Sequence, residues 1–161
     1  MDPSGDAVIQ LFILLILLAL SAFFSSSETA LVTVNKIRMR NMAEGGNKQA
    51  ETVIKTVENQ GKMLSAILIG NNVVNLSASS LATVMASSLF GNKAVGIATG
   101  ILTLLILVFG EITPKTMATY SAEKISLKVA RYIYFLMTVL TPVIFLVNLL
   151  SGVVLKLCGV N

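Results

Sequence analysis

Histidine and tryptophan are missing from this chain of 161 residues, cysteine occurs once, and proline occurs three times. Without histidine, serine hydrolases lack their usual general base, so Ser-His catalysis is not available to the many serine hydroxyls. The single cysteine, Cys158, excludes a disulfide within the chain and leaves a structural zinc site without ligands. We therefore expect no enzyme, although a Ser-Lys pair is a hydrolytic arrangement that this composition permits.

Charged residues are also scarce, at 12% of the chain against 55% hydrophobic residues. This balance lies outside the range of soluble domains and is typical of integral membrane proteins. The net charge is +4, but most of the twelve Lys and Arg residues are concentrated in two segments between apolar runs. Because such clustering is the topology signal of a membrane protein, we expect membrane lipid as a partner and no nucleic acid.

Four apolar runs predict one all-α integral membrane domain over residues 1–161, with three transmembrane helices, a juxtamembrane helical belt and a fourth apolar helix kinked by proline. The predicted elements are helix one at about 7–33, a juxtamembrane hairpin at about 36–60, helix two at about 63–90, helix three at about 94–113, and juxtamembrane or re-entrant helices at about 121–157. A cleaved signal peptide is the alternative for the first run, but signal peptides begin with basic residues, and this run follows Asp2 and Asp6. For the fourth run, both a spanning helix and a re-entrant pair bent at Pro142 are open.

The segment 36–62 carries six Lys or Arg against three Glu, which places it in the cytoplasm and the N-terminus outside. Within it, Gly45-Gly46 predicts a turn, and Ala50, Val53 and Val57 follow at helical spacing. We predict a helical hairpin in a belt on the cytoplasmic side. Its second arm lies either on the membrane surface or against the rest of the protein.

Two polar clusters interrupt the first and second apolar runs. On helix one, Ser21 and Ser25 are four residues apart and Glu28 is three further on, so all three share one face. On helix two, the stretch Gly70-Asn71-Asn72-Val73-Val74-Asn75 falls near the middle of the membrane, where an unpaired carboxamide is costly. Helix packing and a hydrogen-bond network between helices are the structural alternatives for these clusters.

A third cluster, Gly110-Glu111-Ile112-Thr113-Pro114-Lys115, ends the third run. Pro114 has no amide hydrogen and its ring clashes with the carbonyl four residues back, so we predict a helix break that frees backbone carbonyls beside Glu111. A salt bridge from Glu111 to Lys115 is the structural alternative. Together the three clusters offer hydroxyl, carboxamide, carboxylate and carbonyl oxygens, which are hard ligands suited to Mg²⁺, Na⁺ or Ca²⁺.

The motifs SAFFSSSETA (21–30), GNNVVN (70–75) and GEITPK (110–115) resemble those of the transmembrane domain of the CNNM/CorC family of magnesium transporters. The resemblance covers nearly the whole chain. It implies a homodimer of three-helix units with a cytoplasm-side helical belt and an inward-facing cavity, and export of Mg²⁺ driven by entering Na⁺. Carried over by motif position, the implied metal ligands are Ser21, Ser25, Ser26, Asn72, Asn75, Gly110 and Glu111.

Members of the family normally continue into a cytoplasmic pair of CBS domains that binds ATP, and no such pair lies within these 161 residues. The resemblance also favours a cytoplasmic C-terminus, with the fourth run turning back at Pro142. The second hypothesis is a non-transporting membrane scaffold or Mg²⁺ sensor that regulates another transporter.

Overall fold

The computed structural model describes residues 3–160, and every regular element in that range is helical. Asp2 lies outside the described residues. In chain order the α-helices are α1 (Pro3–Thr33), α2 (Lys36–Glu44), α3 (Lys48–Glu58), α4 (Gln60–Phe90), α5 (Val95–Leu105), α6 (Thr113–Tyr120), α7 (Ala122–Val139) and α8 (Thr141–Leu157). A 3₁₀ turn (Asn92–Ala94) precedes α5, and a π-helix (Ile106–Ile112) joins α5 to α6. The predicted all-α fold is confirmed.

Three helical stretches are long and apolar enough to cross a membrane, namely Ser4–Thr33, Gln60–Phe90 and Asn92–Tyr120. The third of these continues past Pro114 to Tyr120, so the chain does not break where the sequence predicted a break. Proline is tolerated in the first turn of an α-helix, and Pro114 occupies that position in α6. The irregularity expected from Pro114 lies just before it, in the π-helix.

The fourth apolar run is kinked, as the proline suggested. α7 and α8 meet at a bend of 70° around Leu140, and Pro142 stands in the first turn of α8. A missing amide hydrogen at that position costs no helical hydrogen bond. The two arms together are apolar enough to form one broken span.

The belt is formed by α2 and α3 packed with α7. Asn35 and Asn47 cap α2 and α3, each accepting a backbone N–H at 3.1 Å. The predicted glycine turn between these helices is present, with Gly46 at a φ of +92°. The buried face of α3, formed by Ala50, Val53 and Val57, packs mainly against α7. Of the two alternatives for the second hairpin arm, packing on protein is the one observed.

Charged contacts stabilise the belt, and a shared apolar core joins it to the membrane helices. Arg38 of α2 pairs with Glu123 of α7 at 3.0 Å, and Glu51 and Lys55, four residues apart on α3, pair at 3.1 Å. The fully buried large side chains come from α1, α2, α4 and α7 and include Leu31, Met39, Met63, Ile67 and Ile133.

α1 packs most closely on α4, and one glycine sets their distance. A Cβ placed on Gly70 would lie 2.5 Å from Cζ of Phe24, well inside van der Waals contact. By contrast, Gly96 and Gly100 of α5, whose spacing is typical of close helix contacts, have open space around them within the described chain. The tight contact between α1 and α4 is therefore made at Gly70.

The Gly70→Ala substitution should destabilise the fold by about 1–3 kcal/mol, because the added methyl forces the Phe24 ring or the helices apart. Gly61→Ala, on the same helix with nothing within 4 Å of its Cβ, is the matched control and should be neutral or stabilising by up to about 1 kcal/mol. The measurement is unfolding in detergent followed by helical circular dichroism. Equal stability of the two variants would contradict the proposed contact.

Candidate functional site

A second glycine brings the π-helix against α1. A Cβ on Gly110 would lie 2.9 Å from Oγ of Ser21, and Gly110 itself is buried. Since glycine has no side chain, the Ser21 hydroxyl packs directly against the π-helical backbone. The serine cluster of helix one and the Gly110-Glu111 motif, far apart in sequence, therefore meet at one level of the bundle.

The π-helix is where the proline acts. Thr113 donates its amide to the carbonyl of Val108, five residues back, which is the π-helical register. Residue 114 would normally supply the next amide, to Gly110 in an α-helix or to Phe109 in a π-helix, and proline has none. Backbone carbonyls beside Glu111 therefore lose a regular donor, as the sequence predicted, although the helix stays continuous.

Glu111 is half-buried and faces α4. Nδ2 of Asn75 donates a weak hydrogen bond of 3.5 Å to Oε1 of Glu111. No ion pair is formed by Glu111 within residues 3–160; Lys115 instead approaches Glu28 of α1 at 3.9 Å. The salt bridge between Glu111 and Lys115, the structural alternative for this carboxylate, is therefore absent.

Within the part of the chain that the structure describes, four buried side-chain oxygens on α1 and α4 have no hydrogen-bond partner from the protein. They are Oγ of Ser21 and Ser25 and Oδ1 of Asn71 and Asn75. Each pair is spaced four residues apart, so each lies along one face of its helix. Buried polar atoms are nearly always satisfied, so a group of four without protein partners needs ordered water or a bound ligand to satisfy it.

The sequence-predicted site residues divide into two groups. Ser21, Ser25, Asn75, Gly110 and Glu111 lie where α1, α4 and the π-helix meet.

Two predicted ligands fall outside this cluster. The hydroxyl of Ser26 bonds to the carbonyl of Phe23 in its own helix at 3.1 Å, and its side chain lines a different cleft with Pro114. Asn72 has an exposed side chain, because adjacent helical residues point about 100° apart.

Sequence reasoning left out one member of the cluster, Asn71. Its signal was the i,i+4 spacing to Asn75, which puts the two carboxamides on one face. Ser126 of α7 is a further buried hydroxyl without a partner, and no motif in the sequence marked it. α7 packs against α1 and α3, so Ser126 belongs to the belt and not to the contact between α1, α4 and the π-helix.

The chemistry of the cluster is that of hard oxygen donors with one negative charge. Within residues 3–160, no group of three His, Cys, Asp or Glu side chains comes together. Glu28, on the Ser21 and Ser25 face about 10 Å along α1 from Ser21, is already matched by the Lys115 ammonium. Ser21, Ser25 and Glu28 of α1, with Asn71, Asn75 and Glu111, are called the polar column below. Among the described residues, Glu111 is the carboxylate of this polar column that forms no ion pair.

Comparison with known families identifies the kind of domain to which the chain belongs. A family model described as the cyclin M (CNNM) transmembrane N-terminal domain matches residues 12–161. The chain belongs to this family. The resemblance drawn from the three motifs is thus confirmed, and the cyclin M domain described here is a membrane-protein domain.

Curated relatives of this cyclin M domain are longer proteins. A UPF0053 protein of Haemophilus influenzae is 45% identical over 152 residues, covering 94% of this chain and 36% of the relative. The UPF0053 inner membrane protein YfjD of Escherichia coli is 38% identical over 142 residues, covering 88% and 33%. The polyamine export protein of Escherichia coli is 26% identical over 165 residues, covering 92% and 36%. The chain spans about a third of the length of these relatives.

In this cyclin M domain, Pro114→Ala should convert the π-helix to a regular α-helix, because it restores the amide that Pro114 lacks. A π-turn holds one residue more than an α-turn, so converting it to an α-turn rotates Glu111 by roughly 100° relative to the residues that follow it. The test uses Asn75→Cys and Glu111→Cys in a Cys158→Ser background, joined by a short cross-linker with two thiol-reactive groups. The cross-linking yield should then fall at least about fivefold, because position 111 moves to another helix face. Pro142→Ala, at the start of α8, is the control and should leave the cross-link unchanged. An unchanged yield in Pro114→Ala would contradict this role of the proline.

Proposed function

We propose that this cyclin M domain transports Mg²⁺ through the cluster between α1, α4 and the π-helix. The observation that carries the proposal is the group of four partnerless oxygens beside a carboxylate with no counter-cation. Each buried unsatisfied oxygen costs about 1–3 kcal/mol in the empty protein. A bound cation offsets this cost at several oxygens together, which is the simplest reason for such a group to exist.

The donor set suits Mg²⁺ in type and number. Ser21, Ser25, Asn71, Asn75 and Glu111 supply five side chains with oxygen atoms. The backbone carbonyl that lacks the Pro114 amide, that of Gly110 in the α-helical register or of Phe109 in the π-helical register, is a sixth candidate. Mg²⁺ takes six oxygens in near-octahedral geometry. One carboxylate leaves a divalent ion only partly neutralised, so the ion is held weakly enough to leave. Reversible binding of this kind is what a transport site needs.

The remaining parts of the proposal follow the family resemblance. We propose export of Mg²⁺ driven by entering Na⁺, by a homodimer whose belt of α2, α3 and α7 lies on the cytoplasmic side. The N-terminus is then outside and the C-terminus cytoplasmic. In this arrangement the Glu28–Lys115 pair stands between the belt and Glu111, at the inner end of the polar column. The domain acts as a transporter and not as an enzyme.

A second cargo, a polyamine, is favoured by two observations. A relative of 26% identity is named a polyamine export protein. In addition, the ammonium of Lys115 already approaches the Glu28 carboxylate at 3.9 Å, so this column accepts an alkylammonium group at its inner end. A polyamine would place an ammonium against Glu111 in the same manner. The flux experiment therefore needs both cargoes.

Mg²⁺ flux across liposomes containing the purified domain tests the proposal. Glu111→Gln should lower the flux at least about tenfold at low Mg²⁺, since about 1.4 kcal/mol of lost binding suffices for a tenfold loss of affinity. Asn71→Ala should behave in the same way. Asn72→Ala is the matched control, an identical substitution at the neighbouring exposed residue, and should retain normal flux.

The outcomes separate the hypotheses. If Asn72→Ala loses Mg²⁺ flux and Asn71→Ala keeps it, the assigned cluster is wrong. Asn72 would then be a ligand, as the motif positions imply. Spermidine flux without Mg²⁺ flux would make the polyamine the cargo. Flux of neither, in a folded protein that binds Mg²⁺, would identify a sensor or scaffold. Helical circular dichroism of each variant checks that folding is unchanged.

A further inference from the structure

A second site lies where α1, α3 and α7 meet. It is a cavity of about 470 Å³ whose walls include Phe23, Gln49, Lys128, Arg131 and Tyr132. None of these side chains belongs to the cluster around Glu111. The cavity is open to the surroundings of the protein, and it has two cations at its rim and aromatic rings beside them.

The two cations are not neutralised by the protein. The ion pairs formed within residues 3–160 are Arg38–Glu123, Lys55–Glu51 and Lys115–Glu28, and neither Lys128 nor Arg131 takes part in one. Two positive charges on neighbouring turns of one helix repel each other and attract an anion. The charge of this cavity therefore indicates an anionic ligand.

Arg131 is held in place without a carboxylate. Its guanidinium lies 4.5 Å from the centre of the Tyr132 ring and donates a hydrogen bond to the Tyr132 hydroxyl. Tyr132 in turn meets the Phe23 ring of α1 edge-on, with centroids 6.3 Å apart. A guanidinium positioned by aromatic contacts keeps further N–H donors free in the geometry that binds a phosphate.

The next turns of α7 show what kind of anion fits. Tyr134, Phe135 and Val139 are 43%, 69% and 54% exposed, and Phe135 stands about 10 Å along the helix from Lys128. Along α7, exposed apolar side chains therefore follow the unpaired Lys128 and Arg131 side chains. The spacing between them is about that between a phospholipid headgroup and its acyl chains. Tyrosine at the change is typical of the membrane interface. A soluble phosphate or an acidic peptide would meet the cations and leave the apolar stretch uncovered.

We infer that this cavity binds the headgroup phosphate of an anionic phospholipid, with Lys128 and Arg131 as its ligands and the acyl chains along the exposed face of α7. Gln49 of α3 and Phe23 of α1 form the opposite wall. A lipid bound there joins the belt to α1, the helix that carries Ser21 and Ser25. The inference is independent of the cargo, because it uses no residue of the transport site.

Native mass spectrometry with equimolar phosphatidylglycerol and phosphatidylcholine of identical acyl chains tests it. The unmodified protein should retain phosphatidylglycerol preferentially. K128Q/R131Q should reduce that preference about thirtyfold, because each lost cation contributes about 1 kcal/mol of attraction to an anionic headgroup. K36Q/K124Q removes the same charge from two exposed lysines that also lack ion pairs and lie outside the cavity. It should keep the preference. The charge-conserving K128R should keep it as well.

Three results would overturn the inference. Equal loss in K36Q/K124Q would mean that general surface charge attracts the lipid. An unchanged preference in K128Q/R131Q would place the lipid elsewhere. Displacement of bound phosphatidylglycerol by millimolar glycerol 3-phosphate would identify the ligand as a soluble phosphate ester, whereas resistance to it supports the lipid.

Discussion

The close approach of α1 to both α4 and the π-helix is the constraint on which the rest of this structure depends. It exists because Gly70 and Gly110 have no side chain where Phe24 and Ser21 pack. Any larger residue would separate the helices at the level where their polar groups meet. The same two contacts therefore fix helix spacing and bring hydroxyls, carboxamides and a carboxylate from three distant parts of the sequence to one place.

The π-helix and the polar cluster belong together. A regular α-helix would give every carbonyl near Glu111 an amide partner and would turn the carboxylate to a different angle. Pro114 removes one of those amides, and the wider turn before it places Gly110 on Ser21 and Glu111 beside Asn75. Backbone irregularity within a membrane span is tolerated where it is buried in protein or lines a polar cavity, and this one is buried against α1.

Hydropathy and helix periodicity were enough to predict the spans, the glycine turn and the amphipathic α3, because burial of apolar side chains decides those features locally. Choosing between Asn71 and Asn72 was beyond such reasoning. Both are asparagines at nearly the same depth, and only the rotation of α4, set by the contact of Gly70 with Phe24, directs Asn71 inward. Packing also decides the effect of the proline. The sequence predicts an irregular helix near Pro114, but neighbouring helices determine whether the chain breaks or widens into a π-turn.

The central claim is that the partnerless oxygens are cation ligands. An experimental structure of the domain with Mn²⁺, a heavier hard cation that replaces Mg²⁺ at oxygen sites, tests it most directly. An anomalous density peak is expected within about 2.5 Å of the Glu111 carboxylate and of the Asn71 and Asn75 side-chain oxygens. A peak at Asn72 or Ser26 instead, or a well-ordered cluster whose oxygens are bridged by water with no metal, would contradict it.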